Sequence, residues 1–359
     1  MSKQEILNRN ANQRSVQSLL CCLGLGTALY FLLVPGAVLA QAGATSRTTP
    51  DEWKAVVAAA QKEGKASIYG SISPEKLTEL KGDFEKVYPG IKLEATRYSS
   101  GPIITKLDQE RQTATDGADV AVTTEVVWFE DRIKEGAIKA PVGPSAGSWP
   151  PAFRLASVAP VLAMEPIVIV YNTKEVKTPI SGYNDLLNPE FKGKIGVLDL
   201  VASIVVAYYD WIDKGQGGNF MSRLAMQQPR VYTSSPTGAQ SVASGETPIA
   251  IFVNPASVLP LVKLGAPMKM VFPNPSFGNR LVGGVLGWSK RPNAAQVLLD
   301  YLMSVRGQTV WNSSGDSASA LTNIPGSLDA KALDLVDLRP YDRETTNAYR
   351  VKFSALFKK

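Results

Sequence analysis

The chain has 359 residues and contains no histidine and only two cysteines, which stand side by side at Cys21 and Cys22. Most of the sequence therefore has no residue for a disulfide, a thiol nucleophile, a Ser-His-Asp triad or a His/Cys zinc site. These absences exclude enzymes that depend on a thiol nucleophile, a Ser-His-Asp triad or a His/Cys zinc site. They suit a protein that binds a molecule without transforming it.

Charge of one sign is also never concentrated in this sequence. Apolar residues make up 45% of the chain and charged residues 19%, which is typical of a protein with a large folded core. The formal net charge is +6, yet there is no block of Lys and Arg and no nucleic-acid-reading motif. The basic balance favours an anionic ligand over a nucleic acid partner.

The first 40 residues have the features of a Sec-type signal peptide. Basic residues precede an apolar run at 19–39, and Val38-Leu39-Ala40 before Gln41 has the form of a signal-peptidase site. We expect cleavage after residue 40, a polar linker at 41–50 and a periplasmic location. A retained membrane anchor is the alternative. Lipidation at Cys21 is disfavoured because no small residue precedes it.

Strands and helices alternate through the first half of the sequence. Short apolar strands are predicted at 66–70, 91–96 and 119–122, each followed by an amphipathic helix, at 75–88, 104–112 and 128–135. Such alternation predicts an α/β domain with a mainly parallel sheet.

A long extended run at 158–171 interrupts this order and fits a strand that leaves one domain for another. Alternation then resumes, with strands predicted at 195–198, 249–253 and 268–272. The apolar strand at 281–288 is long enough to cross back to the first domain, and a helix at 294–305 follows it. The sequence thus predicts two α/β domains joined by crossing strands.

Several segments resemble one family of binding proteins. They are Ala118-Asp119-Val120-Ala121-Val122, Tyr171-Asn172-Thr173-Lys174, the Asn-Pro-Glu-Phe-Lys-Gly-Lys-Ile stretch at 188–195, and the helix Pro292-Asn293-Ala294-Ala295-Gln296 with Gly307-Gln308. In these segments the chain resembles a periplasmic solute-binding protein of an ABC importer. The most similar subgroup contains ferric-iron, thiamine and 2-aminoethylphosphonate binders.

The resemblance implies a type II-like fold of two α/β lobes that close on a ligand. Lobe 1 would comprise 51–165 and the return segment 276–359, which ends in a helical segment, and lobe 2 would comprise 166–275. It also implies a monomer, with no cofactor, that hands a small molecule to a membrane permease and is not an enzyme.

Ligands in open α/β sheets bind beyond the carboxyl ends of the strands. In lobe 1 these positions are rich in hydroxyls, and each turn enters a helix whose N–H groups favour an anion. The candidate residues there are Ser71, Ser73, Ser99, Ser100, Gly101 and Thr124. Each hydroxyl could instead only cap its own helix. We rank Ser99 and Ser100 first, because Gly101 permits close backbone approach.

The remaining candidates are more ambiguous. Glu125 could cap its helix, accept from a ligand amine or ligate a metal. Ser203 and Asn254 follow predicted strands of lobe 2. Arg280 precedes the returning strand, and its planar guanidinium would suit a carboxylate or phosphonate. With these residues the leading hypothesis is capture of a small organic anion.

A ferric-iron binder is the alternative function. The iron-binding branch of the family carries adjacent tyrosines after the strand that here ends at Val253, where this sequence has Asn254-Pro255. Tyr208 and Tyr209 occur instead inside a predicted helix. An enzyme would need a carboxylate pair such as Asp210 and Asp213, a spacing more typical of a solvated helix edge. We therefore expect no metal site and no catalysis.

Overall fold

The computed structural model describes residues 48–357. The expected signal peptide, both cysteines and the last two residues lie outside that range. Within it, none of the helices combines the length and the apolar character needed to cross a membrane.

Thirteen strands and twelve α-helices are found in this range. The strands are β1 (Lys65–Gly70), β2 (Lys92–Arg97), β3 (Val120–Thr123), β4 (Ile138–Lys139), β5 (Arg154–Leu155), β6 (Ala159–Pro166), β7 (Val168–Asn172), β8 (Ile195–Leu198), β9 (Arg230–Tyr232), β10 (Ile249–Val253), β11 (Met268–Val271), β12 (Ser276–Leu286) and β13 (Leu333–Leu335). The helices are α1 (Pro50–Glu63), α2 (Pro74–Val87), α3 (Ser100–Thr113), α4 (Val126–Lys134), α5 (Pro144–Ser148), α6 (Ser203–Gly215), α7 (Phe220–Met226), α8 (Ser235–Ser244), α9 (Pro255–Lys263), α10 (Pro292–Met303), α11 (Val305–Asn312) and α12 (Arg343–Phe357).

An eight-stranded sheet forms the first lobe. Its strand order is β2-β1-β3-β12-β6-β5, and β4 and β13 also pair with β12. Strand β1 runs parallel to β2 and β3, whereas β12 runs antiparallel to β3 and β6. The carboxyl ends of β1, β2 and β3 therefore meet at one edge of the sheet.

A five-stranded sheet, ordered β11-β7-β10-β8-β9, forms the second lobe. Strand β8 is parallel to β9 and β10, and β7 is antiparallel to β10 and β11. The expected two-lobed α/β fold is confirmed. Both sheets are mixed rather than mainly parallel, because the strands that enter or leave each lobe through the hinge run against their neighbours.

Two crossings lie side by side between the lobes. Ile167 alone separates β6 of the first lobe from β7 of the second, and residues 272–275 connect β11 to β12. The backbone N–H of Ile167 donates to the carbonyl of Phe277 at 2.8 Å, which ties the two crossings together. A paired connection of this kind lets two rigid bodies rotate about one hinge.

The C-terminal segment crosses between the lobes once more. Strand β13 pairs with β12 of the first lobe, but α12 packs on α6 of the second. The ring of Phe353 stacks on Tyr209 with centroids 5.7 Å apart, and the Tyr341 hydroxyl donates to Asp210 at 2.7 Å. The return segment expected at 276–359 is thus divided between the lobes, because the apolar face of α12 is buried against α6.

Candidate functional site

A cavity of about 70 Å³ lies between the two lobes. At roughly 15 Å³ for each water molecule, it has room for about five waters or a compact ligand. Both lobes and the crossing strands contribute to its walls. Its polar lining consists of Ser71, Ser73, Arg97, Ser99, Ser100, Thr124, Glu165, Ser234, Ser235, Asn254, Ser257 and Asn279.

The first-lobe side of the cavity is built at the carboxyl ends of three parallel strands. Ser71 directly follows β1, Arg97 is the last residue of β2, and Thr124 directly follows β3. Because these strand ends share one edge of the sheet, the three side chains reach the same space.

Arg97 is the positively charged residue in the lining of the cavity. Its Nε is buried and has no hydrogen-bond partner, and no ion pair involves Arg97 within residues 48–357. Burial lowers the pKa of its guanidinium, since a cation is less stable away from water. Arg97 is half-buried and lines the cavity, so an anion bound there would supply the partner that its guanidinium lacks.

The serines of the first lobe fall into two groups. Ser73 is a helix cap, because its Oγ accepts from the backbone N–H of Lys76 at 3.3 Å. Ser99 stands at the N-cap position of α3 but its side chain makes no capping bond. Ser71 Oγ is buried and has no partner in the described part of the chain, whereas Ser100 Oγ accepts from the Thr124 hydroxyl at 2.8 Å. Ser71 and Ser99 thus keep hydroxyls free for a ligand.

A chain of hydrogen bonds forms the second-lobe side. Ser235 Oγ donates to Asn254 Oδ1 at 2.7 Å and accepts from the Asn254 backbone N–H at 3.0 Å. The side-chain amide of Asn254 then donates to Glu165 Oε2 at 2.8 Å. Asn254 begins α9 of the second lobe and Glu165 lies in β6 of the first, so this bond joins the lobes inside the cavity.

Phe252 is held in a strained backbone conformation beside the cavity. Its φ is 58°, a left-handed value that bulky side chains rarely adopt. The register of β10 against β7 shifts between Ala250 and Val253, as in a β-bulge. The bulge turns the ring of Phe252 into the cavity wall and places Asn254 at its edge. Strain of this kind often concentrates at binding sites.

Glu125 reaches across the cleft instead of capping its own helix. Its carboxylate accepts from the Ser203 backbone N–H at 3.2 Å and from the Ser203 hydroxyl at 2.8 Å. Ser203 is the first residue of α6, so Glu125 of one lobe caps a helix of the other. Burial raises the pKa of Glu125, while the bonds from Ser203 and the charge of Arg350 oppose that rise.

Gly101 lies against the same loop of the second lobe. A Cβ at this position would overlap the backbone carbonyl oxygen of Val201. The missing side chain therefore allows the start of α3 to approach residues 199–202 closely. Gly101, Glu125 and Ser203 do not line the cavity; they form the contact between the lobes beside it.

Residues 67–315 match the family described as bacterial extracellular solute-binding protein. The chain belongs to this family. No curated protein matches its sequence.

Solved structures share the fold of this solute-binding protein over nearly all of their own length. The substrate-binding protein of an ABC transporter from Agrobacterium tumefaciens is 17% identical, with a TM-score of 0.74 over 84% of this chain and 97% of that one. AfuA from Actinobacillus pleuropneumoniae, solved with fructose-6-phosphate, is 21% identical, with a TM-score of 0.67 over 82% and 99%. Iron-bound HitA from Pseudomonas aeruginosa is 16% identical, with a TM-score of 0.63 over 81% and 98%.

One candidate residue of the solute-binding protein lies away from both the cavity and the lobe contact. Arg280 donates through Nη2 to the carbonyl of Leu335 at 2.8 Å, and burial lowers the pKa of its guanidinium. The strand was expected to begin at 281, but β12 already begins at Ser276. Arg280 therefore lies within the sheet and fastens β13, instead of facing a ligand.

Other cavity residues were missed by the sequence analysis. Arg97 ends a predicted strand, so the strand-end rule that selected Ser71 could have found it. Glu165 is the single charged residue in the run from 158 to 171. Ser234 and Ser235 lie just after β9, at the start of α8.

The tyrosine and aspartate pairs of the alternative functions have structural partners. Tyr209 donates its hydroxyl to Leu198 O at 2.7 Å, and Tyr208 packs edge-on against Phe252. Asp210 accepts from Tyr341, and Asp213 accepts from the N–H of Met221 at 2.8 Å. Between residues 48 and 357 no three His, Cys, Asp or Glu side chains are grouped to hold a metal ion.

Proposed function

We propose that this solute-binding protein captures a small organic anion between its lobes and delivers it to the permease of an ABC importer. The anion is a carboxylate, a phosphonate or an organophosphate. The ligand contacts are Ser71, Arg97, Ser99, Ser100, Thr124 and Asn254. Ser73 caps a helix at the edge of the cavity. The contact between the lobes is made by Gly101, Glu125 and Ser203.

Arg97 is the observation that carries this proposal. Arg97 lines a cavity rich in hydroxyls, and among residues 48–357 its guanidinium has no carboxylate partner and its buried Nε no hydrogen-bond partner. Charge-assisted hydrogen bonds from a guanidinium to an oxyanion are among the strongest polar contacts in proteins. A neutral or cationic ligand would leave that guanidinium unpaired in the closed protein.

Two further features support an anion. Helices α3 and α8 begin at the cavity, and the partial positive charge of helix N-termini favours negative ligands. AfuA, which shares the fold, was solved with a sugar phosphate bound. The small cavity of the present protein favours a more compact anion.

The proposed function also includes export of the protein to the periplasm. The basic n-region, the apolar run and the Val38-Leu39-Ala40 site indicate a Sec signal peptide. The family is extracellular by its description. After cleavage the chain would contain no cysteine, so its folding would not depend on disulfide formation.

A thermal-shift panel tests the function. Glycolate, malonate, methylphosphonate and phosphoglycolate are compared with Fe³⁺ and spermidine. An anion at a hundredfold excess over its Kd should stabilise the protein by about 2.7 kcal/mol. Stabilisation by Fe³⁺ or spermidine alone would reject the proposal. Mass spectrometry of small molecules released from the purified protein by denaturation would then identify the natural ligand.

A further inference from the structure

Glu165 is a carboxyl group inside a cavity that we assign to an anion. It lies near the end of β6, is 3% exposed and lines the cavity together with Arg97. Its Oε2 accepts from the Asn254 amide at 2.8 Å. Its Oε1 accepts no hydrogen bond from any residue between 48 and 357, so this oxygen is available to a ligand.

Among the described residues, no Lys or Arg forms an ion pair with Glu165. Lys76 of α2 is the basic residue that acts on it from the first lobe, but the Lys76 ammonium pairs with Glu79 at 3.0 Å and with Asp316 at 3.7 Å. Asp316 adds a second negative charge on the same side. The groups around Glu165 are therefore one engaged lysine, one carboxylate, the Asn254 amide and, across the cavity, Arg97.

These surroundings favour the neutral form of the Glu165 carboxyl. Together they raise its pKa to about 7: burial is the largest cause and the charge of Asp316 acts in the same direction, while Asn254 and Lys76 act in the opposite direction. An anion bound in a cavity of about 70 Å³ would bring a second negative charge close to this carboxyl. Arg97 alone could not balance both charges.

We infer that Glu165 holds the captured anion as a neutral carboxylic acid, which donates a hydrogen bond from its free oxygen to an oxygen of the ligand. Capture then takes one proton from solvent onto Glu165, and release returns it. The inference rests on the proposed function, because it requires an anion in this cavity. It makes Glu165 a specificity-determining residue: the group that faces it on the ligand must accept a hydrogen bond.

Isothermal titration calorimetry with glycolate, ethanesulfonate and taurine tests this, since the acid groups of these probes do not titrate between about pH 5.5 and about pH 8.5. For glycolate and ethanesulfonate we expect affinity to fall by up to tenfold for each pH unit above about 7. Near pH 8, titrations in triethanolamine and Tris, which add no competing buffer anion, should give binding enthalpies that differ by the uptake of close to one proton.

Two variants distinguish the mechanism from a general pH effect. In E165Q an amide donor replaces the acid, so the affinity for glycolate should no longer change with pH. In D316N the negative charge beside Glu165 is lost while the side-chain shape is kept. The pKa of Glu165 should then fall, and the loss of affinity should begin at lower pH. This second variant keeps the test valid if E165Q folds poorly.

Three results would overturn the inference. Anion binding with no pH dependence would remove the protonation step but leave the proposed function standing. Tighter binding of taurine than of ethanesulfonate, with affinity rising with pH, would assign Glu165 as a carboxylate partner of a ligand ammonium. Failure of all anions of the thermal-shift panel and of these probes at every pH would reject the proposed function, and this inference with it.

Discussion

Glu125 of the first lobe caps helix α6 of the second lobe through Ser203, whose hydroxyl and N–H both donate to its carboxylate, at 2.8 and 3.2 Å. These bonds can exist only while the lobes are together. An anion supplied by the protein itself thus occupies a helix N-terminus that would otherwise attract one from solution. The pair favours the closed arrangement without contacting the ligand cavity.

Glu125→Ala should therefore weaken ligand binding by about tenfold or more, since a hydrogen bond to a charged group contributes roughly 1.5–3 kcal/mol net of its exchange with water. Small-angle X-ray scattering of the unliganded variant should show a larger radius of gyration than that of the wild type.

Ser203→Ala should produce a similar loss of affinity. The double variant should bind the ligand no more weakly than the single variant with the lower affinity, because both substitutions remove the same interaction. Additive losses in this double-mutant cycle would mean that Glu125 and Ser203 act separately and that their contact does not hold the lobes.

Gly101→Ala should prevent full closure. A methyl group there would overlap the backbone carbonyl of Val201, which cannot rotate away as a side chain could. We expect an affinity loss of more than about a hundredfold with a nearly unchanged melting temperature of the free protein, because alanine suits the first turn of α3. Gly82→Ala is the control: its Cβ would meet no atom within 4 Å, so binding should be unaffected.

Arg97→Ala should abolish most anion binding. Loss of a charge-assisted hydrogen bond corresponds to about 10- to 150-fold in Kd. The free protein should be about as stable as the wild type, since the half-buried guanidinium that is removed makes no ion pair within residues 48–357. Arg230→Ala is a matched control in the second lobe, where Arg230 is exposed and only loosely paired with Glu246 at 3.5 Å. Equal effects of both substitutions on calorimetric affinity would contradict the assigned role.

Serine-to-alanine substitutions separate capping from binding. Ser73→Ala removes a cap of α2 and should lower the free energy of unfolding by about 1 kcal/mol. Ser99→Ala removes a hydroxyl that caps nothing, so it should reduce affinity and leave the melting temperature unchanged. Ser100→Ala should behave like Ser99→Ala, with a small added loss from its bond with Thr124. A large decrease in the melting temperature of Ser99→Ala would mean that Ser99 has a structural role instead.

Much of the fold follows from local sequence patterns. The strand predicted at 195–198 coincides with β8, and the helix predicted at 75–88 differs from α2 by one residue at each end. These elements have apolar periodicity and Pro or Gly at their ends, which are signals within one segment. The placement of α12 on the second lobe was not predictable, because it depends on contacts such as Phe353 with Tyr209, far apart in the sequence.

The candidate site, too, could be predicted only in the parts that depend on a single segment of sequence. The strand-end rule selected Ser71, Ser99, Ser100, Thr124 and Asn254, which all line the cavity. It could not predict that Glu125 would bond to a residue 78 positions away in the other lobe. Nor could it predict that Glu165, within a buried strand, would face the cavity. Both facts depend on how the two lobes meet, which no single segment encodes.

The extra passage of the chain through β13 and into α12 has a geometric consequence. With two crossings, the first and last helices of the described chain would lie on the same lobe. With three crossings they lie on different lobes. Helix α1 packs on α10 of the first lobe, and α12 packs on the second. The separation of the first and last described helices therefore changes as the cleft opens. A pair of fluorophores on these two helices would follow capture and release directly.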